Sequence, residues 1–262
     1  MKWLAVALLL APTAASAEDR DYCPARPGLG TPACTIEPGR VSVEMALVDW
    51  TRDDNPGMRQ DTILIGDTLV RIGLADTVEA QIGWTAFGHV RTRDKATGSV
   101  DTANRAGDAL LGLKVNLHHP DGSGFSVAVQ PFITLPVGRS PVGSGDWGAG
   151  VVIPLTFDLG HKLSLQVSPE ADAAVDQDGR GRHFAANGTI GLGVEISDTV
   201  NGTIEFQEAR DDDPSGRTTQ ALSSISLGWM PRKDWQLDIG AVAGLNHDAP
   251  DAEVYAGVSR RF

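Results

Sequence analysis

The chain has 262 residues, of which 34 are acidic and 22 are basic, so its formal net charge at pH 7 is −12. Binding to nucleic-acid phosphates needs clustered lysine and arginine, and this balance therefore argues against a nucleic-acid partner. No proline- or serine-rich linker divides the chain, so a single folded domain is expected.

The first seventeen residues have the pattern of a secretory signal peptide. A positively charged start and an apolar stretch precede Ala15-Ser16-Ala17, which forms an A-x-A cleavage site. The apolar stretch is far shorter than the ~18 residues that a membrane helix needs, so export without a helical anchor is expected. The predicted organisation is a signal peptide over residues 1–17, an N-terminal periplasmic segment over 18–39 and a β-barrel over 40–262.

Both cysteines of the chain, Cys23 and Cys34, follow the signal peptide closely. An exported chain enters an oxidising compartment, so a local disulfide is predicted, with two free thiols as the alternative. Lipid attachment at Cys23 is disfavoured, because Asp21 and Tyr22 stand where a lipoprotein signal has small residues. The segment around the cysteines is rich in Pro and Gly, and we expect it to form a flap at the periplasmic mouth whose disulfide affects local order only.

From Val78 onwards, apolar and polar residues alternate for thirteen positions. Successive side chains of a strand point to opposite faces, so this segment has an apolar wall and a polar wall, and it is too long for an ordinary globular sheet. A transmembrane strand needs roughly 9–11 residues, apolar toward lipid and polar toward the lumen. The alternation therefore predicts a transmembrane β-strand.

The same alternation, together with turn chemistry, divides the chain into twelve strands. They are predicted to begin near Val41, Thr62, Val78, Ala109, Phe125, Trp147, Leu163, Phe184, Val200, Thr219, Trp235 and Glu253. Short turns alternate with longer polar segments, as expected for the periplasmic turns and external loops of a barrel. A soluble sandwich would show turn signals every 8–12 residues or so, whereas this chain has about 20 residues per strand and connection. The predicted fold is all-β: a single-chain antiparallel transmembrane β-barrel of about 12 strands with both termini periplasmic.

Aromatic residues are predicted to form two girdles at the ends of these strands. Phe125, Phe157, Trp229, Trp235 and Phe262 fall at the periplasmic ends, and Trp147, Phe184 and Phe206 fall near the opposite ends. Trp50 is the exception, because strand parity turns it inward.

The polar faces of the predicted strands supply the candidate pore-lining residues. By parity these are Glu44, Asp67, Arg71, Glu79, Gln81, His89, Arg91, Asp108, Lys114, Gln130, Gln166, Glu170, Asp172, Glu195, Glu205 and Asp238. Acidic residues predominate, so an open lumen should favour cations or neutral solutes over anions. The lumen of a barrel of about twelve strands is intermediate in width between a small barrel filled by side chains and a wide aqueous channel. An open conduit and a plugged lumen therefore remain as alternatives.

The sequence predicts no catalytic, cofactor-binding or metal site, and the chain is expected not to be an enzyme. Gly143-Ser144-Gly145 lacks the strand-to-helix context of a nucleophile elbow. The histidines do not form the His–Ser pair of an outer-membrane phospholipase, which is the enzymatic alternative. The run Asp211-Asp212-Asp213 is predicted to be a solvated external loop, with weak divalent-cation binding as the alternative.

Residues 131–138, Pro-Phe-Ile-Thr-Leu-Pro-Val-Gly, are followed by Gly-Ser-Gly-Asp-Trp at 143–147. These two segments resemble the strand-loop-strand hallmark of the bacterial outer-membrane transporter family named for the meta-pathway of phenol degradation. The likeness extends from about residue 38 to residue 262.

This resemblance implies a barrel in the cell outer membrane that takes up small solutes passively, aromatic or hydrophobic ones among them, without a cofactor. The partners implied are outer-membrane lipids and lipopolysaccharide, a small-molecule solute, and the outer-membrane assembly machinery, which would recognise Phe262. A closed structural or receptor barrel that acts through its external loops is the alternative.

Overall fold

The computed structural model describes residues 20–262, and the predicted signal peptide lies outside this range. The strands are β1 (Val41–Asp54), β2 (Met58–Ala75), β3 (Val78–Asp94), β4 (Val100–Arg105), β5 (Ala109–His118), β6 (Phe125–Leu135), β7 (Gly148–Val152), β8 (Leu155–Gly160), β9 (Leu163–Val175), β10 (Arg182–Ser197), β11 (Val200–Asp213), β12 (Gly216–Arg232), β13 (Trp235–Gly244) and β14 (Ala252–Arg261). Within the described range, no helix is long and apolar enough to cross a membrane.

The strands form one closed antiparallel barrel. Strands that follow each other in the chain pair with each other, and β14 pairs with β1 to close the sheet. Both β4 and β5 pair with β3, and both β7 and β8 lie between β6 and β9, so each of these pairs is one interrupted barrel strand. Pro154 separates β7 from β8, where its missing N–H cannot join the ladder. The fourteen segments thus make the twelve-stranded barrel that the sequence predicts.

The two ends of the barrel differ in their connections. At the end where β1 begins and β14 ends, here called the terminal end, the connections are residues 76–77, 119–124, 161–162, 198–199 and 233–234. At the opposite end, here called the loop end, they are residues 55–57, 95–99, 136–147, 176–181, 214–215 and 245–251. The 18 residues of β2 exceed the roughly 9–11 that a tilted membrane strand needs, so this strand projects beyond the bilayer.

The outer wall of the barrel carries a continuous apolar belt. Large apolar side chains are strongly exposed on strands all round the barrel, including Ile82 on β3, Ile204 on β11, Ile225 on β12 and Ile239 on β13. Such a surface would be a liability in water, whereas in a bilayer it faces lipid. The inner wall carries the opposite set of side chains, which are polar and charged.

A bulge in β1 reverses the parity of its side chains. The register with β14 shifts by one residue between Ala46 and Val48. Beyond the bulge, Trp50 pairs with Ile63 on β2 and lies on the outer wall, whereas parity from the start of the strand predicts an inward side chain. The bulge therefore brings Trp50 into the outer aromatic belt.

Strand β3, two strands along the barrel from β1, shows the same reversal. Thr85 faces the lumen, where its hydroxyl donates a 2.7 Å hydrogen bond to Asp67. Val90 is only 3% exposed, so its side chain also faces the interior rather than the exposed outer wall. These two residues are five positions apart, so an uninterrupted strand would place them on opposite faces. Since both face inward, the alternation is interrupted between them. His89 and Arg91 consequently lie on the outer wall, and the prediction that they line the pore is wrong.

Candidate functional site

The N-terminal segment before β1 runs inside the barrel and spans its terminal half. Residues 20–39 are here called the plug. The backbone N–H of Ile36 donates to Glu79 Oε2 at 2.8 Å, and that of Gly30 donates to Glu205 Oε1 at 2.9 Å. Glu79 on β3 and Glu205 on β11 stand on opposite walls, six strands apart. The predicted flap at the mouth is thus a plug within the lumen, because inward carboxylates satisfy its backbone amides there.

The disulfide of the plug is anchored to the barrel wall. Cys23 and Cys34 are joined, with Cα atoms 6.5 Å apart. Arg71 on β2 donates from Nη1 to the carbonyl of Cys23 at 2.7 Å and from Nη2 to the carbonyl of Cys34 at 3.1 Å. One guanidinium group therefore holds both ends of the disulfide loop.

Arg71 also belongs to a buried cluster of four charges beneath the plug. Its Nη1 lies 3.1 Å from Glu44 Oε1 and its Nε lies 2.8 Å from Glu79 Oε1, while Lys114 Nζ lies 3.6 Å from Glu79 Oε1. All four side chains are fully buried. Two acidic and two basic groups balance, so these predicted pore-lining residues form the seat of the plug rather than a wall in contact with water.

The opposite wall holds the plug through two further carboxylates. Glu205 accepts hydrogen bonds from the backbone N–H of Leu29 at 2.7 Å and from Ser224 Oγ at 2.7 Å, besides that from Gly30. Asp238 on β13 pairs with Arg26 of the plug at 2.9 Å. These contacts reach deep into the barrel, because Glu205 is the sixth residue of β11 counted from the terminal end.

A cavity of about 1220 Å³ lies beside the plug at the terminal end. Cys23, Arg26 and Pro32 of the plug form one side of it, and Gln166 on β9 and Glu195 on β10 belong to its other side. The plug therefore packs closely against the wall of β1 to β3, while a space the size of a small molecule remains next to β8 to β11.

Carboxylates predominate in the lumen on the loop side of the plug. The carboxyl groups of Glu170 and Asp172 contact each other on β9. Asp49 on β1 and Glu253 on β14 form a second such pair on the opposite wall, and parity did not predict the inward position of Asp49 because of the bulge. Neither pair has a basic partner among the ion pairs of residues 20–262.

The loop of residues 136–147 folds inward over the loop end. Asp108 holds it, since Gly138 N donates to Oδ1 at 3.0 Å and Ser144 donates to Oδ2 from both N and Oγ at 2.7 Å. Val142 of this loop packs against Gly88 on β3, where an added Cβ would come within 2.6 Å of Val142 Cγ2. The segment that carries the sequence hallmark thus narrows the opening of the barrel.

The structure directs fourteen of the sixteen predicted pore-lining side chains toward the interior. They are Glu44, Asp67, Arg71, Glu79, Gln81, Asp108, Lys114, Gln130, Gln166, Glu170, Asp172, Glu195, Glu205 and Asp238. At the loop end, Asp176, His183 and Asp213 bring their ligand atoms within 4.8 Å of one another. The sequence offered only weak cation binding by the run 211–213 as an alternative, and that run lies in β11 rather than in the predicted external loop. The members of this group come from three strands or strand ends, so no local sequence motif predicts the whole group.

Comparison with known proteins agrees with the barrel and its hallmark loop. The family model described as "Putative MetA-pathway of phenol degradation" matches residues 25–262. The chain belongs to this family. No curated protein matches the sequence.

Three solved structures resemble the chain in fold. The NanC porin has a TM-score of 0.52 and 11% identity, covering 84% of this chain and 98% of that chain. The translocator domain of the autotransporter NalP from Neisseria meningitidis has a TM-score of 0.51 and 12% identity, covering 87% and 90%. The transport unit of the autotransporter AIDA-I from Escherichia coli has a TM-score of 0.52 and 6% identity, covering 84% and 88%. The fold is therefore that of an outer-membrane β-barrel, and the lipid-facing belt places the chain in the outer membrane.

Proposed function

We propose that this barrel is an outer-membrane channel for passive uptake of small solutes and that the plug is its gate. The observation that carries the proposal is the plug itself, which crosses the lumen on polar contacts and leaves the cavity beside β8 to β11. Removal of the predicted signal peptide would leave the plug at the new N-terminus, so that release of its polar contacts would unseat it without breaking the barrel.

The solutes proposed are small molecules with an apolar face, aromatic ones among them. On the loop side of the plug, Leu64, Phe132 and Val142 supply apolar surface on and near β2 to β6. Acidic side chains of β9 and β11 line the same space, and Asp172 lies beside Phe132 over Gly150. A neutral or cationic solute with one apolar face would match both surfaces, whereas an anion would be repelled.

Conductance in planar bilayers tests the channel and the gate together. Wild-type protein should pass current at a low level, and a variant that lacks residues 20–37 should pass more current through an otherwise intact barrel. Absence of current from both proteins would refute the channel and favour the closed structural or receptor barrel. Equal current from both would refute the gate.

The proposed orientation places the terminal end in the periplasm and the loop end outside the cell. Cysteine substitution with labelling of intact cells tests this orientation. Thr97→Cys in the β3–β4 connection should be labelled and Asp121→Cys in the β5–β6 connection should not. The reverse result would invert the barrel.

Lipopolysaccharide is a proposed partner of the outer wall at the loop end. Arg91 and Arg93 on β3 face outward beyond the level of Trp50, and neither forms an ion pair with another residue of the described range. Arginine binds phosphate through a planar fork, so lipid A phosphates would suit these groups. Changing both to Gln should lower the lipopolysaccharide that copurifies, whereas Arg210→Gln with Arg217→Gln, whose guanidinium groups already pair with an aspartate, should not. The assembly machinery is the other proposed partner, through the exposed ring of Phe262.

A further inference from the structure

Three aspartates surround one buried histidine on the inner wall at the loop end. His183 is the second residue of β10, Asp176 follows β9, and Asp211 and Asp213 belong to β11. The neighbouring Phe184 is 56% exposed on the outer wall, so His183 points toward the lumen. Strand pairing therefore gathers four polar side chains from three consecutive strands.

Carboxylate oxygens lie against both nitrogens of the imidazole. His183 Nδ1 is 2.9 Å from Asp176 Oδ1 and 3.5 Å from Asp213 Oδ2, and Nε2 is 2.8 Å from Asp211 Oδ1 without the alignment of a hydrogen bond. The His183 side chain is only 6% exposed. No lysine or arginine pairs with these carboxylates among residues 20–262, so even a protonated imidazole leaves the cluster with an excess of negative charge.

The carboxylates are held in place by contacts outside the cluster. Asp213 Oδ2 accepts the backbone N–H of Gln177 at 2.7 Å, and Asp213 Oδ1 accepts both the N–H and the hydroxyl of Ser215. Gly181 lets the chain pass close to Asp176, because a Cβ there would lie 2.5 Å from Asp176 Oδ2. Such supporting bonds are typical of side chains whose orientation matters for ligation.

We propose that Asp176, His183 and Asp213 bind a divalent transition cation such as Zn²⁺. The proposed ligand atoms are Asp176 Oδ1, His183 Nδ1 and Asp213 Oδ2. Oxygen and imidazole ligands stand about 2.0–2.2 Å from Zn²⁺, so ligand atoms separated by the observed 2.9 and 3.5 Å can share one ion. Asp211 then stands beside the other imidazole nitrogen, where metal-bound histidines usually have a carboxylate or carbonyl.

A cation in this position would join the loop ends of β9, β10 and β11 and neutralise the acidic wall at the lumen opening. Its binding depends on the four side chains alone and not on whether the barrel conducts. Failure of the conductance test would thus leave the site intact, and failure of the site would leave the channel proposal untouched.

The test is calorimetric titration of the full chain, purified in detergent and stripped with a chelator, with Zn²⁺ alone. We expect one ion per chain, release of protons on binding at mildly acidic pH, and a higher unfolding temperature. His183→Gln and Asp213→Asn should each weaken binding by at least about tenfold. His247→Gln is the matched control, because His247 makes an exposed pair with a single aspartate, and it should leave binding unchanged.

Three outcomes would overturn the proposal. The first is binding of less than one Zn²⁺ per chain by the wild type. The second is unchanged Zn²⁺ binding in both His183→Gln and Asp213→Asn. The third is Ca²⁺ binding that is as tight as Zn²⁺ binding and is unaffected by His183→Gln, which would indicate only diffuse attraction to acidic groups. Barrel integrity in each variant is verified by its heat-modifiable migration in gels.

Discussion

Glu205 is the residue whose replacement should release the plug most directly. Its carboxylate is 4% exposed and accepts hydrogen bonds from Leu29 N, Gly30 N and Ser224 Oγ. Glu205→Gln preserves the shape of the side chain but removes its charge and replaces one acceptor oxygen with a donor. One of the two plug amides then faces an NH₂ group and loses its partner.

The size of the effect follows from these bonds. A hydrogen bond to a charged group contributes about 1.5–3 kcal/mol, and a buried amide left unpaired costs about 1–3 kcal/mol. Loss of one bond and weakening of the others should therefore destabilise the seated plug by about 3 kcal/mol. Because about 1.4 kcal/mol corresponds to a factor of ten, the unseated population should rise roughly 100-fold.

Hydrogen exchange and conductance measure this change together. In Glu205→Gln, exchange at the amides of Leu29 and Gly30 should accelerate roughly 100-fold, following the opening equilibrium, and mean bilayer current should increase. Glu195→Gln is the control, because it removes the same charge from the same wall without a hydrogen bond to the plug. Unchanged exchange at both amides in Glu205→Gln would refute the assigned contact between Glu205 and the plug. Faster exchange without more current would refute the role of the plug as a gate.

Three further predictions concern other parts of the barrel. Gly88→Ala should push against Val142 and destabilise the loop of residues 136–147 by about 1–3 kcal/mol, which faster amide exchange over residues 138–144 would show. Gly188→Ala is the control, because a Cβ there would have nothing within 4 Å, and equal exchange in both variants would contradict the packing of the loop on Gly88. Glu170→Gln combined with Asp172→Asn should reduce cation preference in reversal potentials, and an unchanged potential or an initial anion preference would show that these carboxylates do not set the field of the lumen. Cys23→Ser should destabilise the plug by about 3 kcal/mol at most, measured by amide exchange, while gel migration shows that the barrel still folds. Loss of the barrel would contradict the prediction that the disulfide affects local order only.

Alternation of side chains determined most of the fold. A strand that buries one face in lipid must repeat with a period of two, so the twelve strands and the lumen-facing set from Glu44 to Asp238 can be recognised without long-range information. The hallmark segments likewise indicated the family, because they are contiguous in the chain. The disulfide was predictable from compartment and spacing, since its partners are eleven residues apart.

Only the tertiary structure decided what depends on register and on contacts between distant segments. The bulge at Leu47 on β1, with Gly66 at a φ of 69° opposite it on β2, accompanies a reversal of parity along β1 to β3 that moves His89, Arg91 and Trp50 to the outer wall, and alternation alone does not reveal it. The plug enters the lumen because buried carboxylates on opposite walls accept its amides, and those partners are up to 176 residues away. The cluster around His183 arises in the same way, since strand pairing alone brings its members together.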